Sequence, residues 1–240
     1  MPYRQTGQAL SADLLAGATV AQALNRQLQA RPIRLSHGDL RFVAQTELPA
    51  GEAYEAFIHR SACVPSRDNL HDLLNGLIWL HWPVLKTGLN AAHIEALRLS
   101  GGVQSRRGAL RDALTVVDEN AALLQAPAAL CEALVARDWQ RLFITLRPLW
   151  AQAQLHLIGH ALLEKLMQPR KPICAHVLIL PFDDAAMPPM DAALDSSRLA
   201  GKPFYPLPVL GVPGWWAGNE DENFYADTGV FRPKAQQQTG

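Results

Sequence analysis

The chain has 240 residues, equal numbers of basic and acidic side chains (22 each), and a hydrophobic content just under one half. That balance excludes a disordered polyelectrolyte and gives no global basic surface for a nucleic acid, although a local patch is compatible with a neutral total. Three scattered cysteines (Cys63, Cys131, Cys174) lack C-x-x-C spacing and read as reduced thiols, and no apolar run approaches the ~18 residues of a membrane span. The N-terminus lacks an apolar leader-like stretch, so the expected location is cytoplasmic, away from the membrane.

In chain order, Ser11 is expected to cap a first helix in which Leu14, Ala21, Leu24 and Leu28 recur at helical spacing. Leu40 to Gln45 alternates as a short strand. Tyr54, Phe57 and Ile58 predict a helix over Glu52 to Arg60. The stretch Val64 to Asn90 is the one around which the chain is organised. It opens with a helix start at Ser66 to Asp68, runs through a helix, and turns at Trp82-Pro83 into a second one. Ser100 to Gly108 (SGGVQSRRG) reads as a mobile solvated loop that does not divide the domain.

Leu110 to Gln125 carries two conflicting signals. Leu110, Leu114, Val117, Ala121 and Leu124 form a helical stripe, yet Leu-Thr-Val-Val favours strand and Asp118-Glu119-Asn120 is turn chemistry. The favoured expectation is a hairpin with the acidic turn at its tip. Pro127 starts a helix to about Arg137, with another at Trp139 to Leu146 and a long one from about Pro148 to Gln168. Ile173 to Leu180 reads as a buried strand and Met190 to Leu199 as a helix. From Lys202 the chain is rich in Pro, Gly and aromatics without a period, and its apolar bulk implies a wrap over the body. The expected fold is α+β, predominantly helical: one compact domain over residues 1–233 with a few short strands and a long irregular C-terminal wrap, then a flexible tail at 234–240.

Candidate chemistry begins on a helical wheel. With Asp68 at the origin and about 100° per residue, His71, Asp72, Asn75 and Trp79 fall within about 60° of it, opposite Leu70, Leu73, Leu74, Leu77 and Leu80. Solvated helix faces favour Glu, Lys, Gln and Arg, which are better helix formers than Asp, Asn and His. Asp68 is explained as a cap; His71, Asp72 and Asn75 are not so easily explained. They read either as ligands and proton-transfer groups facing a cleft or as a structural network in which every group is bonded. Further on, His156, His160 and Glu164 step by four along the expected long helix. His160 and Glu164 can chelate a metal or pair with each other. Arg111 and Asp112 with Asp118, Glu119 and Asn120 can hold a hard cation or form a solvated turn. Trp215, Asn219 and Tyr225 can close over a ligand or seal a core.

Five ordered motifs, VPSRDNLHDLLNGLIWL, RDALTVVDENA, GHALLEK, PLPVLGVPGWW and FYADTGVFRP, together resemble a bacterial domain-of-unknown-function family, DUF3025, from about Phe42 to Pro233. The resemblance implies a bacterial, soluble, single-domain protein and supplies no mechanism. Its pattern includes positions matching Arg67, Asp68, Asn69, His71, Asp72, Asn75, Arg111, Asp112, Asp118, Glu119, Asn120, His160 and Glu164, but not clearly His156. Ser66 stands where the family has Thr, and Ala121 where it has Gly.

Two functional readings are open. In the first the protein is a metal-assisted hydrolase, nuclease-like or phosphoesterase-like. A divalent ion is held by His71, Asp72, His160 and Glu164, more weakly by Asp118 and Glu119. Asp72, Asn75 and Glu164 carry the chemistry, and Arg67, Arg111, Trp215, Asn219 and Tyr225 contact substrate. In the second it is a non-catalytic binding or scaffold protein for a small molecule or another protein, and the same polar residues form a structural network.

Overall fold

In the computed structural model, which describes residues 3–99, 108–182 and 193–234, the first helical stripe divides in two. Helix α1 spans Arg4–Leu15 and α2 spans Val20–Ala30, separated by Gly17 at φ 89°. Ser11 therefore lies inside α1, and the cap belongs to Thr19. Its hydroxyl accepts from Gln22 N (3.2 Å), while the Gln22 side chain accepts from Thr19 N (2.9 Å). This reciprocal capping box and a left-handed glycine stop one helix and start the next more firmly than a lone serine can.

The chain separates into two compact units, Met1–Asp118 with Leu194–Lys202, and Glu119–Ala193 with Pro203–Gly240. It is predominantly helical with short strands, α+β as expected. In the first unit, β1 (Arg34–Leu35) and β2 (Gly38–Asp39) form a small antiparallel pair. Strand β3 (Arg41–Ala44) pairs in parallel with β4 (Cys63–Ser66), and α3 (Tyr54–Ser61) supplies the crossover that parallel pairing requires. The Asn25 amide of α2 bonds both backbone groups of Phe42 (2.7 and 2.9 Å), so α2 pins the free side of β3. Ser66, at the front of the expected helix start, is thus the last residue of a strand. Helix α4 (Leu70–His81) begins at Asn69, whose side chain accepts from Asp72 N at 2.8 Å. Asp68 caps a different helix: its carboxylate accepts from Val20 N at the start of α2 (2.8 Å). Gly76 lets α2 and α4 approach, since a Cβ there would lie 2.2 Å from Leu24 Cδ1. Pro83 opens α5 (Pro83–Leu99), as the Trp-Pro step foretells.

The hairpin expectation fails. Helix α6 runs Ala109–Asn120, burying Ala113, Leu114 and Val117, and strand β5 (Ala121–Gln125) begins at the next residue. The apolar stripe decides against local β propensity because burial outweighs the few tenths of a kcal/mol at stake in propensity. Residues 100–107 of the expected loop, the beginning of the expected Met190 to Leu199 helix, and residues 235–240 of the expected tail lie outside the described residues.

In the second unit, Pro127 precedes α7 (Ala128–Ala136), and beyond it come a π-helical turn at Arg141–Thr145 and a 3₁₀ turn at Arg147–Gln152. The long helix expected over Pro148 to Gln168 is not formed. Its length is divided among that 3₁₀ turn, strand β6 (Gln154–Leu157) and α8 (His160–Leu166), so His156 does not share a helical face with His160. Gly159 is the reason. Ile158 N and Gly159 N both donate to Ala121 O (3.0 and 2.9 Å), and a Cβ on Gly159 would lie 2.5 Å from Asn120 N and Glu119 O. Strand β7 (Cys174–Ile179) realises the expected buried strand. The helix α9 (Ser196–Ala200), capped by Asp195, belongs to the first unit. Within the wrap, Tyr205–Pro208 forms β8, and the sheet order is β6-β5-β7-β8, with β5 and β7 parallel and both outer pairs antiparallel. The rest of the wrap includes several 3₁₀ turns, and its Tyr225 and Phe231 pack round Phe143 with ring centroids 5.1 and 5.9 Å away, beside Trp150 of the earlier 3₁₀ turn at 5.9 Å.

The contact at Gly159 predicts that Gly159→Ala is strongly destabilising, by about 3 kcal/mol, because backbone rather than a flexible side chain would have to yield. Urea unfolding of the variant against the parent checks this. The control is Gly88→Ala, where the obstructing atom is the movable Leu194 Cδ1, and its loss should be smaller.

Candidate functional site

Four helices of the first unit each contribute polar side chains at helical spacing. Helix α4 gives Asp72, Asn75 and Trp79, and α5 gives Lys86, Asn90 and His93. Helix α6 gives Arg111 and Asp118, and α3 gives Tyr54. The i, i+3/i+4, i+7 steps place each set on one face of its helix.

Lys86 is the centre. It is 5 % exposed, donates to Asn75 Oδ1 at 2.7 Å and to the Asp118 carboxylate, and lies 5.5 Å from the Trp79 ring centroid. Asn75 passes the chain on, donating through Nδ2 to the Tyr54 hydroxyl at 3.0 Å. Burial, followed by the charge of Asp118, pushes the Tyr54 phenol above its ordinary range, so it stays protonated. Asn90 donates to Glu55 O at 2.8 Å and fixes α5 on α3.

Asp72 is equally buried but faces the entry of α4. It accepts from Arg67 N (2.7 Å), Arg67 Nε (3.0 Å) and Arg67 Nη2 (2.9 Å). Burial pushes its carboxyl up, but the Arg67 side-chain and backbone hydrogen bonds outweigh that and hold it below the ordinary carboxylate value.

Three buried polar atoms of the first unit have no hydrogen-bond partner among the described residues: Trp79 Nε1, His93 Nδ1 and Arg111 Nε. His93 is shifted towards the neutral form by burial, and the charges of Glu55, Asp118, Arg111 and Lys86 all bear on it. The centre thus combines an ammonium, a guanidinium, an indole N–H and an imidazole shifted towards its neutral form, with the Asp118 carboxylate on the ammonium and the Glu55 carboxylate acting on the imidazole.

The other expected site residues lie on several different elements. His71 is half-buried on α4 and its charge bears on Asp72. Glu119 is exposed near the end of α6. His160, 5 % exposed, and Glu164 lie on α8 in the second unit, whereas His71 and Asp72 lie in the first. Among the described residues no group of three or more His, Cys, Asp and Glu is gathered as a metal would need. Asn219 is fully buried in the wrap, donating to Leu210 O (2.8 Å) and Val212 O (2.7 Å), and Tyr225 donates to Gly211 O (2.9 Å). Arg147 bonds both of them, while Trp215 packs on the aromatic core. Lys86, His93 and Tyr54 were not among the expected site residues. The spacing of Lys86, Asn90 and His93 in KTGLNAAH was the available signal.

The matched Arg67–Asp72 pair predicts that Asp72→Ala costs about 2 kcal/mol at neutral pH, nearer the value of charged hydrogen bonds than of a fully buried pair because Arg67 can rehydrate. The depressed Asp72 carboxyl stabilises the fold above its unfolded value and loses that contribution as pH falls below it. The difference between parent and variant in denaturant titrations should therefore hold steady at neutral pH and shrink below about pH 4.

Residues 40–235 match the model of a family described as "Protein of unknown function (DUF3025)". No curated protein and no solved structure matches the chain.

Proposed function

The chain belongs to the DUF3025 family, and we propose that it is a non-catalytic binding protein whose first unit takes a small, acceptor-rich ligand at the Lys86 centre. The observation that carries this reading is the set of buried atoms on Trp79, His93 and Arg111 that lack a partner among the described residues, around a lysine already matched by Asp118. Indole and guanidinium nitrogens only donate, and leaving such donors unmet in an interior costs about 1–3 kcal/mol each. A carboxylate or phosphate group supplies the missing acceptors without a metal. The structural-network reading of Asp72, Asn75 and Asp118 supports the same conclusion, because those residues hold the cations in place rather than react.

Metal-assisted hydrolysis is the less supported alternative. It requires several ligands at one point, and the described residues gather none of the required size.

Thermal unfolding tests the proposal. Saturating inorganic phosphate, or one member of a panel of small carboxylates, should raise Tm by about 5 °C. Trp79→Phe and Arg111→Gln should each abolish that shift while remaining folded. If no anion moves Tm, or if the shift persists in both variants, the binding reading of this centre is wrong.

A further inference from the structure

The second unit holds a groove of about 290 Å³ that plays no part in the Lys86 centre. Its walls include Trp139, Pro206, Pro208 and Val230, and Arg137 and Arg232 stand along it. Neither arginine makes an ion pair among the described residues. Asp138, the neighbour of Arg137, accepts from Arg141 N (3.0 Å), and Asp227, just before the groove's Gly229, pairs with Lys171 (3.1 Å). Arg232 is held by its own Nε, which donates to Gly229 O at 3.0 Å, and its carbonyl accepts from Trp139 Nε1 at 2.8 Å. The wall aromatic and the second arginine are therefore fixed to each other.

Arg137 is also held in an uncommon backbone conformation. It closes α7 in the left-handed region, φ 54° and ψ 37°, a position that glycine or asparagine normally fills because a Cβ is strained there. The helix dipole favours a cation near a C-terminus, but a basic residue one turn earlier would meet it without left-handed strain. Ala62 closes α3 in the same region at φ 55°, so the conformation adds to the case for Arg137 only together with its place on the groove.

We propose that this groove binds a small carboxylate carried on an apolar body, with the carboxylate between Arg137 and Arg232 and the body against Trp139 and the two prolines. Guanidinium forks match a planar carboxylate, and the volume admits only a small ligand. The remaining groove thiol, Cys174, is pushed towards its protonated form by burial and leaves the two cations unopposed. This site is independent of the Lys86 centre.

Isothermal titration calorimetry with benzoate, on the full chain, tests it. Arg232→Gln should weaken binding by about tenfold or more, the loss of one charge-assisted contact. Arg137→Gly should weaken it as much while its Tm stays equal to or above that of the parent, since glycine relieves the left-handed residue. The component of the benzoate titration that each arginine variant loses is the one assigned to this groove, and any phosphate-induced rise in Tm should persist in both arginine variants, which separates the groove from the first unit's centre. No benzoate binding by the parent, parental affinity in both arginine variants, or an equally tight binding of inorganic phosphate that both arginine variants lose would each overturn the assignment.

Discussion

An ammonium group taken out of water is tolerated only when its charge and its protons are matched, and Lys86 meets that condition with Asp118, Asn75 and the face of Trp79. Three helices must be in register for this to happen. Asn75 is on α4, Lys86 on α5 and Asp118 on α6, and Asn75 extends the link to Tyr54 on α3. The first unit is in this sense built round one buried cation. Its polar groups occupy the positions where apolar side chains would otherwise pack, and what such an interior gains is specificity of arrangement and a set of directed donors. Arg67 and Asp72 secure the entry of α4 in the same way, and Asp68 ties that entry to α2 through the Val20 amide.

The second unit depends on a backbone contact instead. Gly159 lies against the Glu119–Asn120 peptide, and Asn120 donates its amide to Cys174 O at 3.0 Å while accepting from Lys165 at 3.1 Å. One asparagine thus joins the end of α6, strand β7 and helix α8. The aromatic wrap then covers the α7 side with Tyr225, Phe231 and Phe143 in mutual contact. Asn219 satisfies the turn carbonyls beneath it, so a residue that looks like a ligand contact in sequence serves to hold an irregular segment closed.

Two arrangements of cations emerge with different chemistry. In the first unit the positive groups are buried, and one is matched to a carboxylate. In the second the two arginines line an open apolar groove without carboxylate partners among the described residues. The Cys174 thiol is pushed away from the reactive form, as is the Tyr54 phenol.

The periodic segments were legible from residues alone. The strand at Arg41 to Ala44, the helix beginning at Tyr54 and the polar line of Asp72, Asn75 and Trp79 derive from local spacing, the strand at Cys174 to Ile179 from a continuous apolar run, and the helix starts at Pro83 and Ala128 from a proline, all of them local signals. The family motifs were likewise visible in order along the chain. Tertiary structure decided the rest. Leu110 to Gln125 carries signals for both helix and strand, and only burial of Leu114 and Val117 selected the helix. His156 and His160 share a helical spacing, but the close approach of Gly159 to another backbone segment broke the expected helix between them. Lys86 could not be recognised as the centre because its matching groups lie eleven residues before it and thirty-two after it. Spacing along a chain states which residues share a face; which faces meet depends on long-range packing that no local repeat encodes.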